Sequence, residues 1–392
     1  MSMLSIFKKK KQELVLVFDI RSSSVGAALF WIEDSQIPRV VASVREAIPL
    51  EQALAPDRLL TLSLSALEKV VSKIAEKKVG TPIRIFCVLA APWHVSETRV
   101  IKLTKETPFI FTSKLADELT QKEIASMKEE YTKRYQDLGA ALRPIELKNV
   151  KVKLNGYETE KPIGKNASEV EMDIHISMSG DEICKKIEEV IEKHFPVKEV
   201  KFSSFTMAAF SALRDVYHDR ENFLIINIAG ELTDIAMVKH GTLRETASFP
   251  LGTHFMVRGV ASALNVSTTE AYSFFSLHKD GNAAEPTLQT LDPIVNKLKL
   301  DWLHKFQEAL VNLSNDISIP GALYLITNKD LTQFFTELIK SEQFNQYTLT
   351  ESKFEITPCG IEVFHNAVAF KENAPFDAYL AIDSIYINRF FS

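Results

Sequence analysis

Asp19 and the serines Ser22, Ser23 and Ser24 sit at one turn, where the stretch VLVFDIRSSSVGAAL (residues 15–29) passes from one apolar run to the next. Successive backbone N–H groups in such a turn converge on one point, and hydroxyls add donors, which suits a phosphate. A carboxylate at the head of the turn suits a divalent cation that prefers oxygen ligands. Arg21 stands where such a loop favours glycine, because a side chain holds the phosphate away from the backbone. A second group of this kind, Asn227, Gly230, Thr233 and Asp234, lies in FLIINIAGELTDIAM (residues 223–237). A shift of 208 positions lays the first stretch on the second without a gap. Asp19 then falls on Asn227, Ile20 on Ile228, Ser22 on Gly230 and Gly26 on Asp234. Any two hairpins share apolar alternation; the matching acid or amide, isoleucine and small turn residue argue for a duplicated unit. Thr327, which ends the run ALYLIT, and Asn328 directly after it form a third candidate position.

The elements that must carry these turns can be read from periodicity. Residues 57–78 have apolar positions at helical spacing and lysines at the end, and Gly80 and Pro82 stop the helix before the buried strand RIFCVLAAP. A charged helix is expected near 113–139. Strands and turns follow to about 178, around an Asn-Gly pair and a Pro-Ile-Gly loop. The helix DEICKKIEEVIEKHF then leads back to the main body, and the second half runs from a three-stranded stretch into helices near 267–277 and 289–314. Phe274, Phe275, Phe334 and Phe335 fall on helical patterns and read as core.

At 392 residues the chain exceeds one compact core, and 46% apolar with 25% charged residues is ordinary for a globular protein. A net charge of -5 excludes a general nucleic-acid binder. Three scattered cysteines signal neither a disulfide framework nor a zinc ribbon, so a reducing cytoplasm is the expected setting. No apolar run approaches the roughly 20 residues of a membrane helix. Single histidines make no metal signature, and no G-x-S-x-G elbow makes the serines nucleophiles. Lys8, Lys9, Lys10 and Lys11 read either as a solvated tail or as a contact with an anionic membrane or partner. At about 1 kcal/mol per lysine the contact is weak and reversible.

Two strand-turn-strand phosphate clips, one opening each half, resemble the actin-like ATPase superfamily, in its bacterial FtsA/PilM branch. The first clip there reads D-I-G-S-S-S-V-K and the second D-I-G-G-x-T-T-D-I; here they are Asp19–Gly26 and Asn227–Ile235. The basic lead-in MLSIFKKKKQ, and LNGY and PIG at 154–157 and 162–164, also match in order. The resemblance implies an α/β fold of two duplicated, RNase H-like domains with an inserted α+β (SHS2-type) subdomain. Its expected boundaries are a basic tail at 1–13, a first domain at 14–90 and 179–222, the insert at 91–178, and a second domain at 223–392. It implies ATP and magnesium as cofactors, with Asp19 reaching the metal and Ser22, Ser23, Ser24, Asn227, Gly230, Thr233, Asp234, Thr327 and Asn328 near the nucleotide.

The departures point away from catalysis. Asn227 replaces the aspartate that orders magnesium and attacking water, and it carries no charge and cannot act as a base. Gly26 replaces a lysine, AYSFF at 271–275 replaces the charged A-E-x-x-K helix signature, and Asn328-Lys329-Asp330 replaces a Gly-Gly pair. The expectation is therefore a cytoplasmic scaffold at the inner face of the plasma membrane, with weak or lost ATP binding. Its implied partner is the cytoplasmic tail of an inner-membrane pilus protein, and self-association is compatible with the resemblance. An FtsA-like division-ring tether is a second reading, although the linker and amphipathic helix of that type are not seen after DAYLAIDSIYINRFFS. An active ATPase or sugar kinase is a third.

Overall fold

The computed structural model describes residues 12–33, 36–134, 141–196, 198–313, 318–341 and 353–390. Strands β1 (Glu13–Ile20) and β2 (Ser24–Ile32) form the first hairpin, and β3 (Arg39–Ala47) extends it antiparallel. Helix α1 (Pro56–Glu76) crosses over, and β4 (Arg84–Leu89) returns parallel to β1. Proline and Asp57 open α1, where a missing N–H and a negative charge are both favourable. Its apolar face (Leu67, Val70, Val71, Ile74) is fully buried. β1 is buried on both faces from Leu14 onward, as a central strand between covered layers must be.

The chain then leaves the sheet through β5 (Val95–Ile110), α2 (Ser113–Arg134), β6 (Leu142–Leu154), β7 (Tyr157–Glu158) and β8 (Asn166–Gly180). These build a separate antiparallel sheet in the order β5-β8-β6-β7, with its own core around Met172, Ile174 and Met127. The Asn-Gly pair turns as read: Asn155 and Gly156 both have positive φ between the paired Leu154 and Tyr157. Helix α3 (Asp181–Glu192) and strand β9 (Val200–Ser204) rejoin the first sheet, and α4 (Phe205–Val216) follows.

The second half repeats the plan. β10 (Phe223–Ile228), β11 (Thr233–Lys239) and β12 (Thr242–Phe249) form an antiparallel meander. Helices α5 (Thr253–Leu264), α6 (Thr268–Lys279) and α7 (Glu285–Leu313) lead to β13 (Ala322–Thr327), parallel to β10. Helix α8 (Thr332–Ser341), β14 (Glu355–Pro358), α9 (Ile361–Phe364), β15 (Ala369–Phe370) and α10 (Ala378–Asn388) complete the chain. The sheet orders are β15-β3-β2-β1-β4-β9 and β12-β11-β10-β13-β14. The repeat seen in sequence is kept in register: Asp19 pairs with Gly26, and Asn227 pairs with Asp234 at the same place in its hairpin.

Two features depart from the sequence reading. Strand β3 was not foreseen. Residues after β14 also do not stay with the second half: β15 pairs with β3, and α10 lies against β1, β2 and α4. The reason is composition, since AYLAIDSIYIN is apolar nearly all round and needs cover on every side. Helices α4 and α10 supply the core shared by the sheets, touching Val15, Val17 and Phe86 on one side and Ile225 and Tyr324 on the other. Among the described residues no helix is long and apolar enough to cross a membrane, and no group of three His, Cys, Asp or Glu side chains could hold a metal ion.

Candidate functional site

The first turn is held by charge from its own chain. Asp19 is fully buried, and its Oδ2 accepts from Arg21 Nε at 2.9 Å and from Arg45 Nη2 at 2.7 Å. Arg45 also donates to Asp377 Oδ2 at 2.5 Å and to Ser24 Oγ at 2.9 Å. Burial works against the Arg45 charge, but Asp377 and Asp19 outweigh it and hold its pKa above the ordinary value. Gly26 makes this possible: it pairs with Arg45 across β2 and β3, and a Cβ there would lie 2.6 Å from Arg45 Nη2. The residue that reads in sequence as a lost lysine is the space that admits an arginine.

The second turn closes on the first. Arg21 Nη1 donates to Asn227 Oδ1 at 3.2 Å, and the Glu231 N–H donates to Ser22 Oγ at 3.0 Å. A Cβ on Gly230 would lie 2.7 Å from Ser23 Cβ, so glycine is required by contact between the turns. The first N–H groups of α5 point to carbonyls rather than outward: Thr253 donates to Ala229 O at 2.8 Å and His254 to Gly230 O at 2.9 Å. Thr233 Oγ1 donates to Leu251 O at 2.8 Å, and Thr327 Oγ1 to Ile228 O at 3.2 Å. Asn328 Oδ1 accepts from Tyr379 OH at 3.4 Å. Asp234 accepts from Ser248 Oγ at 2.7 Å and Asn227 Nδ2 at 3.2 Å, and burial pushes its pKa up. The candidate residues of both hairpins and of 327–328 thus meet in one cleft. Lys8 to Lys11 lie outside the described residues.

Glu231 supplies a charge at the tip of the second turn. Its carboxylate accepts from His254 Nδ1 at 2.8 Å and from Arg258 at 2.5 and 2.8 Å. Burial opposes the charge, yet these partners hold its pKa at about 2 instead of 4.5. A depressed carboxyl contributes stability that is present above its unfolded pKa and lost as pH falls through the folded one. Denaturation midpoints measured from pH 7 downward should therefore show Glu231→Gln less stable than the wild type at pH 7. The gap should close between about 4.5 and about 2.

Beside the cleft, a groove of about 1010 Å³ is lined by residues of the insert and of both sheets. Its lining includes Val95 to Glu97 and Tyr131 of the insert, Ala91, Trp93 and Phe205, and Asn227, Asp234, Thr246 and Ser248 of the second half. Its length follows two sheet edges, β5 and β12, tied together where Thr246 Oγ1 donates to Ser96 O at 3.1 Å and Thr98 Oγ1 to Leu243 O at 3.1 Å. Sequence reasoning placed no residue of this groove except Asn227 and Asp234, because its lining comes from several segments far apart in the chain.

No protein-family model matches the chain, and no curated protein matches it by sequence. Among solved structures it is similar to a chain of the PilM-PilN type IV pilus biogenesis complex. That match has 12% identity and a TM-score of 0.60, and it covers 95% of this chain and 96% of that one. With both sheets repeating one strand order and both turns in register, that superposition decides the architecture. The chain has the actin-like ATPase fold. Two further similar structures are the ethanolamine utilization protein EutJ from Carboxydothermus hydrogenoformans and a Bacteroides thetaiotaomicron protein of unknown function with an actin-like ATPase fold. The first has 12% identity and TM-score 0.43, covering 96% of this chain and 90% of that one. The second has 10% and 0.39, covering 98% and 99%.

An actin-like fold implies nucleotide and magnesium between the two clips, so the residues can be tested for fit. Asp19 Oδ2 already has two guanidinium donors and Asn227 Oδ1 faces one of them, while Asp19 Oδ1 is buried without a hydrogen-bond partner among the described residues. Serine hydroxyls 22 and 24 accept from protein donors, and Ser23 abuts Gly230. No phosphate group fits between turns in van der Waals contact. The residues of this actin-like cleft, as arranged, do not fit magnesium and a nucleotide. Three features escaped the sequence: Arg45, Asp377 and the ring pair Phe205 and Tyr379. Only Arg21 announced itself, as a bulky residue where glycine is expected.

Proposed function

We propose that this chain is a PilM-like scaffold of type IV pilus assembly, which binds the cytoplasmic segment of an inner-membrane partner in its groove and has lost ATP binding. The observation that carries the reading is the contrast between two cavities of the same fold: the interclip cleft is filled by the chain's own side chains, and the groove beside it is open. A groove of about 1010 Å³ lies at the upper end of ligand pockets and suits several residues of an extended peptide. The strands β5 and β12 beside it are each at the edge of their sheet, a place where an extended segment can add. The PilM-PilN type IV pilus biogenesis complex supports the assignment, since a chain of it superposes on nearly the whole of this one. An FtsA-like role uses the same fold, but no specific observation favours it.

Two measurements test the reading. Calorimetry with magnesium and ATP should show no binding tighter than about 10 μM, or about −7 kcal/mol. Tighter binding would overturn the loss of nucleotide. Titration with a synthetic peptide of the cytoplasmic segment of the host's PilN-type protein should saturate at one site. Failure to bind would remove the pilus reading.

A further inference from the structure

We infer that the Arg21 guanidinium is a resident ligand of the interclip cleft: it takes the seat between Asp19 and Asn227, keeps the two halves closed without nucleotide, and fixes one wall of the groove. The last part rests on the groove reading above; the first does not.

The observations begin with burial and geometry. Arg21 is 1% exposed and sits in the middle of the molecule rather than on a surface. Its guanidinium lies 3.8 Å from the Phe205 ring centroid and 3.5 Å from that of Tyr379, rings that themselves meet edge-on at 6.0 Å, so it packs against side chains of both α4 and α10. It also donates to Asp19 of the first clip and to Asn227 of the second. One side chain thus touches both clips and both bridging helices. A planar fork with five donors can make these contacts together, and an ammonium cannot.

Charge balance points the same way. Asp383 is fully buried beside the cleft, and burial, aided by Asp19, pushes its carboxyl well above the ordinary range. The direct ion pairs set Arg21 and Arg45 against Asp19 and Asp377, two cations and two anions. Asp19 and both arginines thus each have a partner of opposite sign within the chain, while Asp19 Oδ1 and Arg21 Nη2 are buried without a hydrogen-bond partner among the described residues. Removing either sign leaves a buried charge without its partner, which is strongly unfavourable.

The seat is also wired to the groove. Asn227 accepts from Arg21 through Oδ1 and donates to Asp234 Oδ2 through Nδ2 at 3.2 Å. Asp234 in turn accepts from Ser248. Asn227, Asp234 and Ser248 all line the groove. The chain Arg21–Asn227–Asp234–Ser248 therefore joins the closing contact to the wall that a partner would meet. Asparagine suits this position because one end accepts and the other donates; a second carboxylate would face Asp234.

Spin labels test closure directly. Lys69 on α1 and Lys340 on α8 are exposed on opposite halves, and Cys87, Cys184 and Cys359 are buried, so Lys69→Cys with Lys340→Cys can be labelled in the full chain. The expected wild-type result is one narrow distance distribution that magnesium-ATP leaves unchanged. Arg21→Met should add a longer, broader population, and Arg21→Lys should not restore the narrow one. If Arg21→Met does not fold, Asn227→Ala removes the cross-cleft contact together with the Asn227–Asp234 bond, leaves the Asp19 pair intact, and should give the same broadening. Low-millimolar ethylguanidinium should narrow the distribution of a folded Arg21→Ala protein, with equal sodium chloride as control. Identical distributions in the wild type and both cleft variants would overturn the inference, as would a wild type that narrows only with magnesium-ATP. For the groove, the host PilN-type peptide should bind Asn227→Ala about tenfold more weakly; equal binding removes the coupling. If the peptide does not bind the wild type at all, the groove reading fails, while the distance measurement still decides closure.

Discussion

Asp19→Asn is expected to cost about 3–5 kcal/mol of stability, the range for removing one partner of a buried ion pair. The effect should appear as a fall of on the order of 10 °C in the unfolding midpoint. The carboxylate is fully buried and holds two guanidinium groups, Arg21 at 2.9 Å and Arg45 at 2.7 Å. Arg45 keeps Asp377, but Arg21 keeps only the amide of Asn227 and two ring faces. The outcome separates two roles for one residue. A carboxylate that serves a magnesium ion is dispensable to the empty fold, and its loss removes activity with little change in melting. Here the same position is structural, so the melting point should move whether or not ATP is present. Asp215→Asn is the control: its pair with Arg389 is 39% exposed on each side, and such surface pairs contribute about 0–1 kcal/mol. Equal midpoints for the two variants would show that Asp19 is not the keystone of the cleft.

The duplicated hairpin was legible because it is local. Fifteen consecutive residues carry both the apolar alternation and the polar turn, and the structure pairs Asp19 with Gly26 and Asn227 with Asp234 at equivalent places in the two hairpins. Erosion was legible too, as residues that fail the chemistry of a phosphate loop. What replaced the ligand was not. Arg45 reaches Asp19 only because β3 pairs with β2 so that Arg45 lies opposite Gly26. Asp377 and Tyr379 arrive from the far end of the chain, through a helix that leaves its own half to lie on the first sheet. Neither pairing has a local signature, so Gly26 read as a loss when it is an accommodation. Arg21 shows the same limit: its misfit in a phosphate loop is visible in sequence, but its fit between Asp19, Asn227 and two rings appears only after the halves meet.

The groove offers the second large effect, in Ser248→Trp. Ser248 is exposed on β12, and its one described side-chain bond is to Asp234 at 2.7 Å. Losing that bond costs about 1 kcal/mol, so the variant should fold and melt within a few degrees of the wild type. The indole has no core to enter from that position and is left in the groove, against the wall formed by Thr246 and Asp234. A partner segment must then displace it or bind without that wall. The expected result is a loss of at least about 100-fold in affinity for the host PilN-type peptide, roughly 2.7 kcal/mol. Because Ser248 ends the chain of contacts from Arg21, the variant also separates obstruction from closure: the distance between labels on Lys69 and Lys340 should stay narrow while peptide binding fails. Unchanged affinity would mean that the peptide seats elsewhere on the fold. A broadened distance would mean that the wall supports the cleft as much as the cleft supports the wall.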